Sequence, residues 1–293
     1  MDAQRNQFIG CDRPYADAQA VLFGAPYDST TSFRPGTRFG PAAMRMESFG
    51  IETYSMRLDK DLLDDAAVFD SGDLELPFGC QEKSIRMIED RAAEILADGK
   101  KPVLLGGEHL VTLGAVRAVA KKYPDLRIVH FDAHADLRTD YLGNPLSHAC
   151  VLRRCHDILG DGRIFQFGIR SGTRDERQFM RDGHVTTELF SDTTLEAVVD
   201  SLSRQSHATN HQPPVYLTVD LDVLDPSEFP GTGTQEAGGF RYDQLVADVN
   251  LVFSKLNVVG FDNVELNPQL DPSGRSTALA CKFLREELLS LRR

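Results

Sequence analysis

Arg127-Ile128-Val129-His130-Phe131 runs directly into Asp132-Ala133-His134-Ala135-Asp136. The first half is an apolar run of strand length, and the second sets an ionisable residue at every other position. Side chains alternate in an extended chain, so Asp132, His134 and Asp136 share one side if the backbone stays extended. The arrangement recurs where Val215-Tyr216-Leu217-Thr218-Val219 meets Asp220-Leu221-Asp222. Carboxylates this close repel one another and lose hydration unless protons or cations lie between them. Four carboxylates and one imidazole suit hard-to-borderline divalent ions such as Mn²⁺, with Zn²⁺ less favoured for want of thiolates. The pattern points to metal-assisted hydrolysis.

Working outward, apolar runs at 20–24, 66–70, 102–106, 127–131, 164–168, 215–219 and 257–261 read as strands. Between them, helical spacing predicts a helix that Gly40-Pro41 begins, and others over 81–99, 110–123, 147–159 and 283–291. The polar stretch 207–214 reads as a loop. Continuous apolar strands alternating with helices imply an α/β fold with a mostly parallel sheet covered on both faces. Ligands in such sheets bind beyond the carboxyl ends of the strands. Both acidic clusters lie there, as does Gly106-Gly107-Glu108-His109, which follows its own strand. With no repeat, linker or low-complexity segment visible, a single domain over 1–293 is expected.

Composition agrees. A chain of 293 residues, 41% hydrophobic and 26% charged, has the balance of a globular enzyme and not of a disordered chain. The net charge of −12, with pI near 5.1 and no basic stripe, argues against nucleic acid or an anionic membrane as partner. It is compatible with a small cationic substrate. Residues 1–12 lack the apolar segment of a signal peptide, and no run reaches membrane-spanning length. The five cysteines (Cys11, Cys80, Cys150, Cys155, Cys281) are scattered and form no CxxC pair, so neither disulfides nor structural zinc are expected. A cytoplasmic location follows.

GGEH at 106–109, DAHAD at 132–136 and TVDLDVLDP at 218–226 closely resemble, in order and spacing, the signature segments of the arginase–agmatinase ureohydrolases. RPGTRFGPAAMR at 34–45, SHA at 147–149, GTGTQEAGG at 231–239 and VELNP at 264–268 agree, and the resemblance extends from about Phe23 onward. It implies a doubly wound, eight-stranded parallel sheet with helices on both faces, the arginase-like three-layer fold, assembled as a homo-trimer or homo-hexamer. It also implies two Mn²⁺ per subunit with a bridging water or hydroxide, held by His109, Asp132, His134, Asp136, Asp220 and Asp222. Asp132 and Asp220 would bridge the ions; His109 and Asp136 would complete one shell, and His134 and Asp222 the other. Glu265 matches the guanidinium-binding glutamate and His148 the proton-shuttling histidine. Thr234 is a further candidate for touching the guanidinium.

The implied chemistry is hydrolysis of a guanidinium to urea and an amine. A carboxylate at Glu265 makes paired, charge-assisted hydrogen bonds to the planar guanidinium, and histidine, whose unperturbed pKa is about 6.5, suits proton exchange near neutrality at position 148. Asp225 reads as a turn-former with Pro226, and His130 as a core or supporting residue. His156, His184, His207 and His211 lack motif context. The block DLRTDYLGNPLSHA at 136–149 and FGIRSGTRDE at 167–176 are most similar to bacterial agmatinases, so agmatine, cleaved to urea and putrescine, is the expected substrate. N1-aminopropylagmatine and guanidino acids such as 4-guanidinobutyrate are the alternatives, the latter because Arg138 would pair with a carboxylate. Asp140, Glu176 and Asp271 are candidates for receiving an amine tail. The sheet also resembles that of zinc-dependent deacetylases, which cleave amides at a single metal.

Overall fold

Parallel strands with both faces covered dictate the architecture. The computed structural model describes residues 7–189, 194–209 and 212–292, with only the backbone of 205–209. Along the chain, β1 (Ala20–Ala25) leads to α1 (Gly40–Glu47), a small antiparallel ribbon of β2 (Tyr54–Ser55) and β3 (Lys60–Asp61), and the short α2 (Leu62–Asp65). β4 (Val68–Asp73) then leads to α3 (Gln81–Ala97), β5 (Lys101–Gly106) to α4 (Thr112–Lys122), β6 (Arg127–Phe131) to α5 (Val151–Leu159) and β7 (Ile164–Phe167) to α6 (Arg174–Arg181). β8 (Thr186–Thr187), α7 (Leu195–Thr209), β9 (Pro214–Asp220), α8 (Tyr242–Lys255), β10 (Asn257–Val264) and α9 (Arg275–Ser290) follow. Eight strands form one sheet in the order β4-β1-β5-β10-β9-β6-β7-β8, and every pairing in it is parallel.

Alternation along the strands divides the core. Val21, Phe23, Leu104, Ile128 and Tyr216 point to the face carrying α3, α4 and α5, where Ile88, Val116 and Leu152 meet them. Leu22, Val103, Val129, Leu217 and Phe261 point to the other face, against Leu245 and Val249 of α8 and Phe283 and Leu284 of α9. Each fully buried Leu, Val or Phe side chain contributes about 1.5–3 kcal/mol. Because both sides of every central strand are buried, the strands read as unbroken apolar runs. No helix among the described residues is long and apolar enough to cross a membrane.

Seven of the eight strands lie where the apolar runs place them. The eighth, β8, is two threonines at the sheet edge and has no apolar run to announce it. Helices α6, α7 and α8 were not anticipated. α8 does place Leu245, Val246, Val249, Val252 and Phe253 at helical spacing, whereas α6 is almost wholly polar and is fixed by a capping box between Thr173 and Glu176. α7 runs to Thr209, so the expected 207–214 loop is shorter; His211 lies outside the described residues, as does the side chain of His207. α9 begins at Arg275 and not at 283.

The sheet order sets β5, β10, β9 and β6 side by side at its centre, and their register pairs Val264 with Asp220 and Phe131 with Val219. All candidate site residues that follow these strands therefore emerge at one edge. The turn after β5 is tight: a Cβ on Gly107 would lie 2.0 Å from the Tyr27 carbonyl oxygen and 2.8 Å from that of Ala25. Gly107→Ala is expected to cost about 1–3 kcal/mol, read as a lower denaturant midpoint. The control Gly50→Ala, where nothing lies within 4 Å, should stay within about 0.5 kcal/mol of the parent.

Candidate active site

His109 opens the turn after β5 and is fully buried. Its Nδ1 lies 3.1 Å from Asp132 Oδ2, 3.2 Å from Asp136 Oδ2 and 3.4 Å from Asp220 Oδ2. A second group adjoins it: His134 Nδ1 is 3.0 Å from Asp222 Oδ2 and 3.5 Å from Asp132 Oδ1. Asp132 thus faces both groups, one oxygen to each. Asp220 faces the first group directly and meets the second by accepting the Asp222 N–H at 2.8 Å. All six sequence-predicted metal-binding candidates come together.

The backbone route differs from plain strand alternation. Asp132 lies just beyond β6, and the chain bends at Ala133. Asp136 takes a left-handed φ of 53°, and Asp222 sits in a single 3-10 turn, Leu221–Val223. The carboxylates converge because turns fold them back, and those turns hydrogen-bond to the same carboxylates: His134 N–H donates to Asp132 Oδ1 at 2.6 Å and Ala133 N–H to Asp222 Oδ1 at 3.1 Å.

The donor set fits a divalent ion. Thr218 Oγ1 donates to Asp262 Oδ1 at 2.6 Å and so accepts from His109 Nε2 at 3.0 Å. That leaves the Nδ1 lone pair, buried and without a hydrogen-bond partner, facing three carboxylates, an arrangement that a cation stabilises. Without one, protons take its place. Burial disfavours charged His109 and His134, yet the surrounding aspartates outweigh it and raise both. Burial, with the neighbouring Asp222 and Asp132 charges, pushes Asp220 well above the carboxylate range. Asp132 is held well below that range against its burial by His109, His130 and His134. His130, wholly buried, bonds Asp132 Oδ2 through Nε2 at 2.9 Å and takes a hydrogen bond from Gln166 on Nδ1 at 3.0 Å, which makes it a supporting residue as expected.

Glu265 follows β10 directly, in a left-handed conformation with φ 68°. Its Oε1 accepts the His109 N–H at 2.8 Å and lies 3.6 Å from His148 Nδ1. Burial lowers His148, but Glu265, joined by Asp136 and Glu108, outweighs this and lifts it to about 9. The far side of the ring is held by the loop after β1: Ser32 N–H donates to His148 Nε2 at 3.2 Å, Ser32 Oγ is 3.1 Å away, and His148 N–H donates to Thr30 Oγ1 at 3.0 Å. Glu108 pins that loop by accepting from Thr30 N–H at 2.9 Å, from the Thr30 hydroxyl and from the Thr31 hydroxyl at 3.0 Å. Burial raises Glu108 to about 7, against the pull of His148 and Thr30.

A cavity of about 190 Å³ opens onto the cluster, with His134, Asp136, His148, Asp220, Thr234 and the buried Glu176 in its wall and the more exposed Ser32, Arg138 and Tyr141 toward its mouth. Thr234 donates to Asp222 Oδ2 at 3.2 Å. The Arg138 guanidinium is 3.7 Å from Glu176 Oε2 and stacks 4.8 Å over the Tyr141 ring. Asp140 accepts from Gly143 N–H in its own turn. Asp271 takes hydrogen bonds from Ser273 and Ser276 in the turn before α9, and neither aspartate lines the cavity. Asp225 accepts from Ser227, Gly238 and Gly239 N–H groups, the turn role expected of it. Cys150 and Cys155 are buried at and within α5, and all five cysteines are unpaired thiols.

Residues the sequence reading left unassigned are Glu108, Thr30, Ser32 and the chain Thr218–Asp262–Tyr216 behind His109. Asp262 carried a signal, a carboxylate inside an otherwise apolar strand; Tyr216 OH and Thr218 Oγ1 both donate to it.

A parallel sheet covered on both faces, with a buried His–Asp cluster at its strand ends, defines a metal-dependent hydrolase. The chain belongs to the arginase family, whose profile matches residues 18–290. It is 44% identical over 283 residues to the agmatinase of Bacillus subtilis, covering 96% of this chain and 95% of that one. It is 45% identical to the agmatinase of Halalkalibacterium halodurans over 96% and 95% of the two chains. The solved agmatine ureohydrolase of Thermoplasma volcanium superposes with a TM-score of 0.86 at 34% identity, covering 97% of this chain and 94% of that one. The family's sites are binuclear.

Because Thr218 fixes the His109 tautomer, Thr218→Val is expected to weaken divalent-ion retention roughly 10- to 100-fold with the fold intact. Metal content after dialysis, alongside far-ultraviolet dichroism, checks this.

Proposed function

We propose that this chain hydrolyses agmatine to urea and putrescine as one ureohydrolase domain over 1–293. His109, Asp132, His134, Asp136, Asp220 and Asp222 would hold two Mn²⁺ per subunit. The observation that carries the reading is the buried convergence of three carboxylates, Asp132, Asp136 and Asp220, on the His109 Nδ1 lone pair, in a chain whose relatives include agmatinases at 44–45% identity. The oxygen-rich donor set favours Mn²⁺ over softer ions. When bound, the ion pair supplies a water acidic enough to act as hydroxide near neutral pH.

The chain's own residues do the rest. Glu265 receives the guanidinium; one of its oxygens already accepts from His109 N–H, which fixes the carboxylate plane and so the orientation of the substrate carbon. Thr234, bonded to Asp222 at the cavity wall, limits where that group settles. His148, set against Glu265 on one side and Ser32 on the other, hands a proton to the departing amine nitrogen. At the mouth, Arg138 is already paired with Glu176 and stacked on Tyr141. This leaves it a poor receptor for a carboxylate tail and favours agmatine over 4-guanidinobutyrate. A cytoplasmic homo-trimer or homo-hexamer completes the proposal, in keeping with the family resemblance.

The Mn²⁺-loaded protein should release urea from agmatine with a higher kcat/KM than from N1-aminopropylagmatine, 4-guanidinobutyrate or arginine. Two metals bound and no urea from any of the four would sink the substrate assignment, while one metal per subunit would favour the single-zinc deacetylase class. His148→Asn is expected to keep both ions and lose roughly 10²-fold or more in kcat; an unchanged kcat would remove His148 from proton transfer. Asp222→Ala should retain one ion fewer, and an unchanged metal count would refute its role as ligand.

A further inference from the structure

At the opposite, amino-terminal edge of the sheet, two histidines and an aspartate converge from separate elements. His156 lies in the last turn of α5, Asp161 in the turn before β7, and His184 just before β8. His156 Nε2 is 2.7 Å and His184 Nδ1 2.8 Å from the same oxygen, Asp161 Oδ1, and one donor atom from each of the three residues falls within 4.8 Å of the others. Gly160 and Gly162, with φ of 79° and 68°, turn the chain sharply on either side of Asp161. Gly162 N–H bonds to the His184 carbonyl at 3.4 Å, which draws the two turns together.

The rings are held in place before any ligand arrives. Phe179 of α6 stacks on His184 at 4.4 Å and meets His156 edge-on at 4.9 Å. On Phe179 also rests the Arg153 guanidinium, at 4.2 Å, whose charge is shared with Asp157. Solvent reaches the cluster, since the Asp161 side chain is 65% exposed and that of His184 37%. No substrate-cavity residue takes part.

We propose that His156, Asp161 and His184 form a further metal site, separate from the strand-end cluster, for a borderline divalent ion such as Zn²⁺. Two imidazoles and one carboxylate are the donors such an ion prefers, whereas Mn²⁺, Mg²⁺ and Ca²⁺ favour oxygen-rich sets. Ligand atoms at about 2.0–2.2 Å from a tetrahedral ion stand about 3.3 Å apart, so the present 2.7 and 2.8 Å contacts need open by only a few tenths of an ångström as the ion replaces the shared protons. The exposed side leaves the fourth position to water. Bound there, the ion ties the end of α5 and the two-residue edge strand β8 to the start of β7, a structural clamp at the most weakly paired edge of the sheet.

The test titrates the Mn²⁺-loaded protein with Zn²⁺ alone and counts both metals after gel filtration, for the parent, His184→Ala and Asp161→Asn. The parent is expected to hold one zinc more than either variant at micromolar zinc, with manganese content and urea release alike in all three. The variants should bind that zinc at least about tenfold more weakly, since losing a ligand costs no less than losing a ligand's support. Zinc should also raise the melting temperature of the parent alone. Equal zinc in all three proteins, zinc that merely replaces manganese, or uptake only at millimolar zinc would each overturn the site.

Discussion

Asp132, Asp136, Asp220 and Asp222 are buried within reach of one another, and the structure around them is arranged to make that tolerable. Two unit charges 4 Å apart interact by about 4 kcal/mol at an effective dielectric of 20, and each carboxylate has also lost its hydration. The sheet concentrates the problem by ending β6 and β9 side by side. Its relief is local: backbone N–H groups of Ala133, His134 and Asp222 each donate into a carboxylate of the cluster, and three imidazoles flank Asp132. What remains uncompensated is the volume between the oxygens and His109 Nδ1, and its chemistry specifies cations.

Holding that geometry strains the backbone in two places. Asp136 and Glu265 both take left-handed φ values, a conformation that costs a non-glycine residue about 1–3 kcal/mol. Each is held from outside: the Asp136 carbonyl accepts the Arg153 N–H at 3.1 Å, and Glu265 N–H donates to the Gly107 carbonyl at 2.9 Å. Gly107 is hemmed in from its other side, where the Tyr27 and Ala25 carbonyls leave no room for a side chain. The same turn that admits the Glu265 backbone carries His109, so guanidinium receptor and metal-binding candidate are built as one unit across β5 and β10.

Much of this was legible in the sequence because burial on both faces writes itself as apolar runs, and the ends of those runs locate the site. DAHAD, DLD and GGEH lie there in plain view. Alternation, however, gave the right residues for an incomplete reason, since Asp136 and Asp222 reach the cluster through turns. The edge strand Thr186–Thr187 has no pattern to read, and α6 is stabilised by its Thr173–Glu176 box more than by an apolar stripe. Glu176 illustrates the limit: as an acidic residue it suggested a receptor for an amine tail, yet its carboxylate also accepts from Leu137 N–H at 2.9 Å and faces Arg138. Only tertiary contacts show how a side chain's capacity is spent.

The division between strand ends and loops has a consequence for specificity. Residues facing the metal volume stand on β5, β6 and β9 or the first turn beyond them, where two buried layers fix the backbone. His148 is instead positioned across 116 residues of chain by Ser32, whose loop depends on Glu108 accepting from Thr30 and Thr31. The mouth is likewise made by loop residues, Ser32, Arg138 and Tyr141. Loops tolerate exchange that strands do not, so the substrate tail can be re-specified without disturbing the bond-breaking centre. Glu108 is where the two regimes meet: it belongs to the GGEH turn, yet its carboxylate orders the loop that holds the proton-carrying histidine. A change at Glu108 would therefore reach proton transfer before it reached metal affinity.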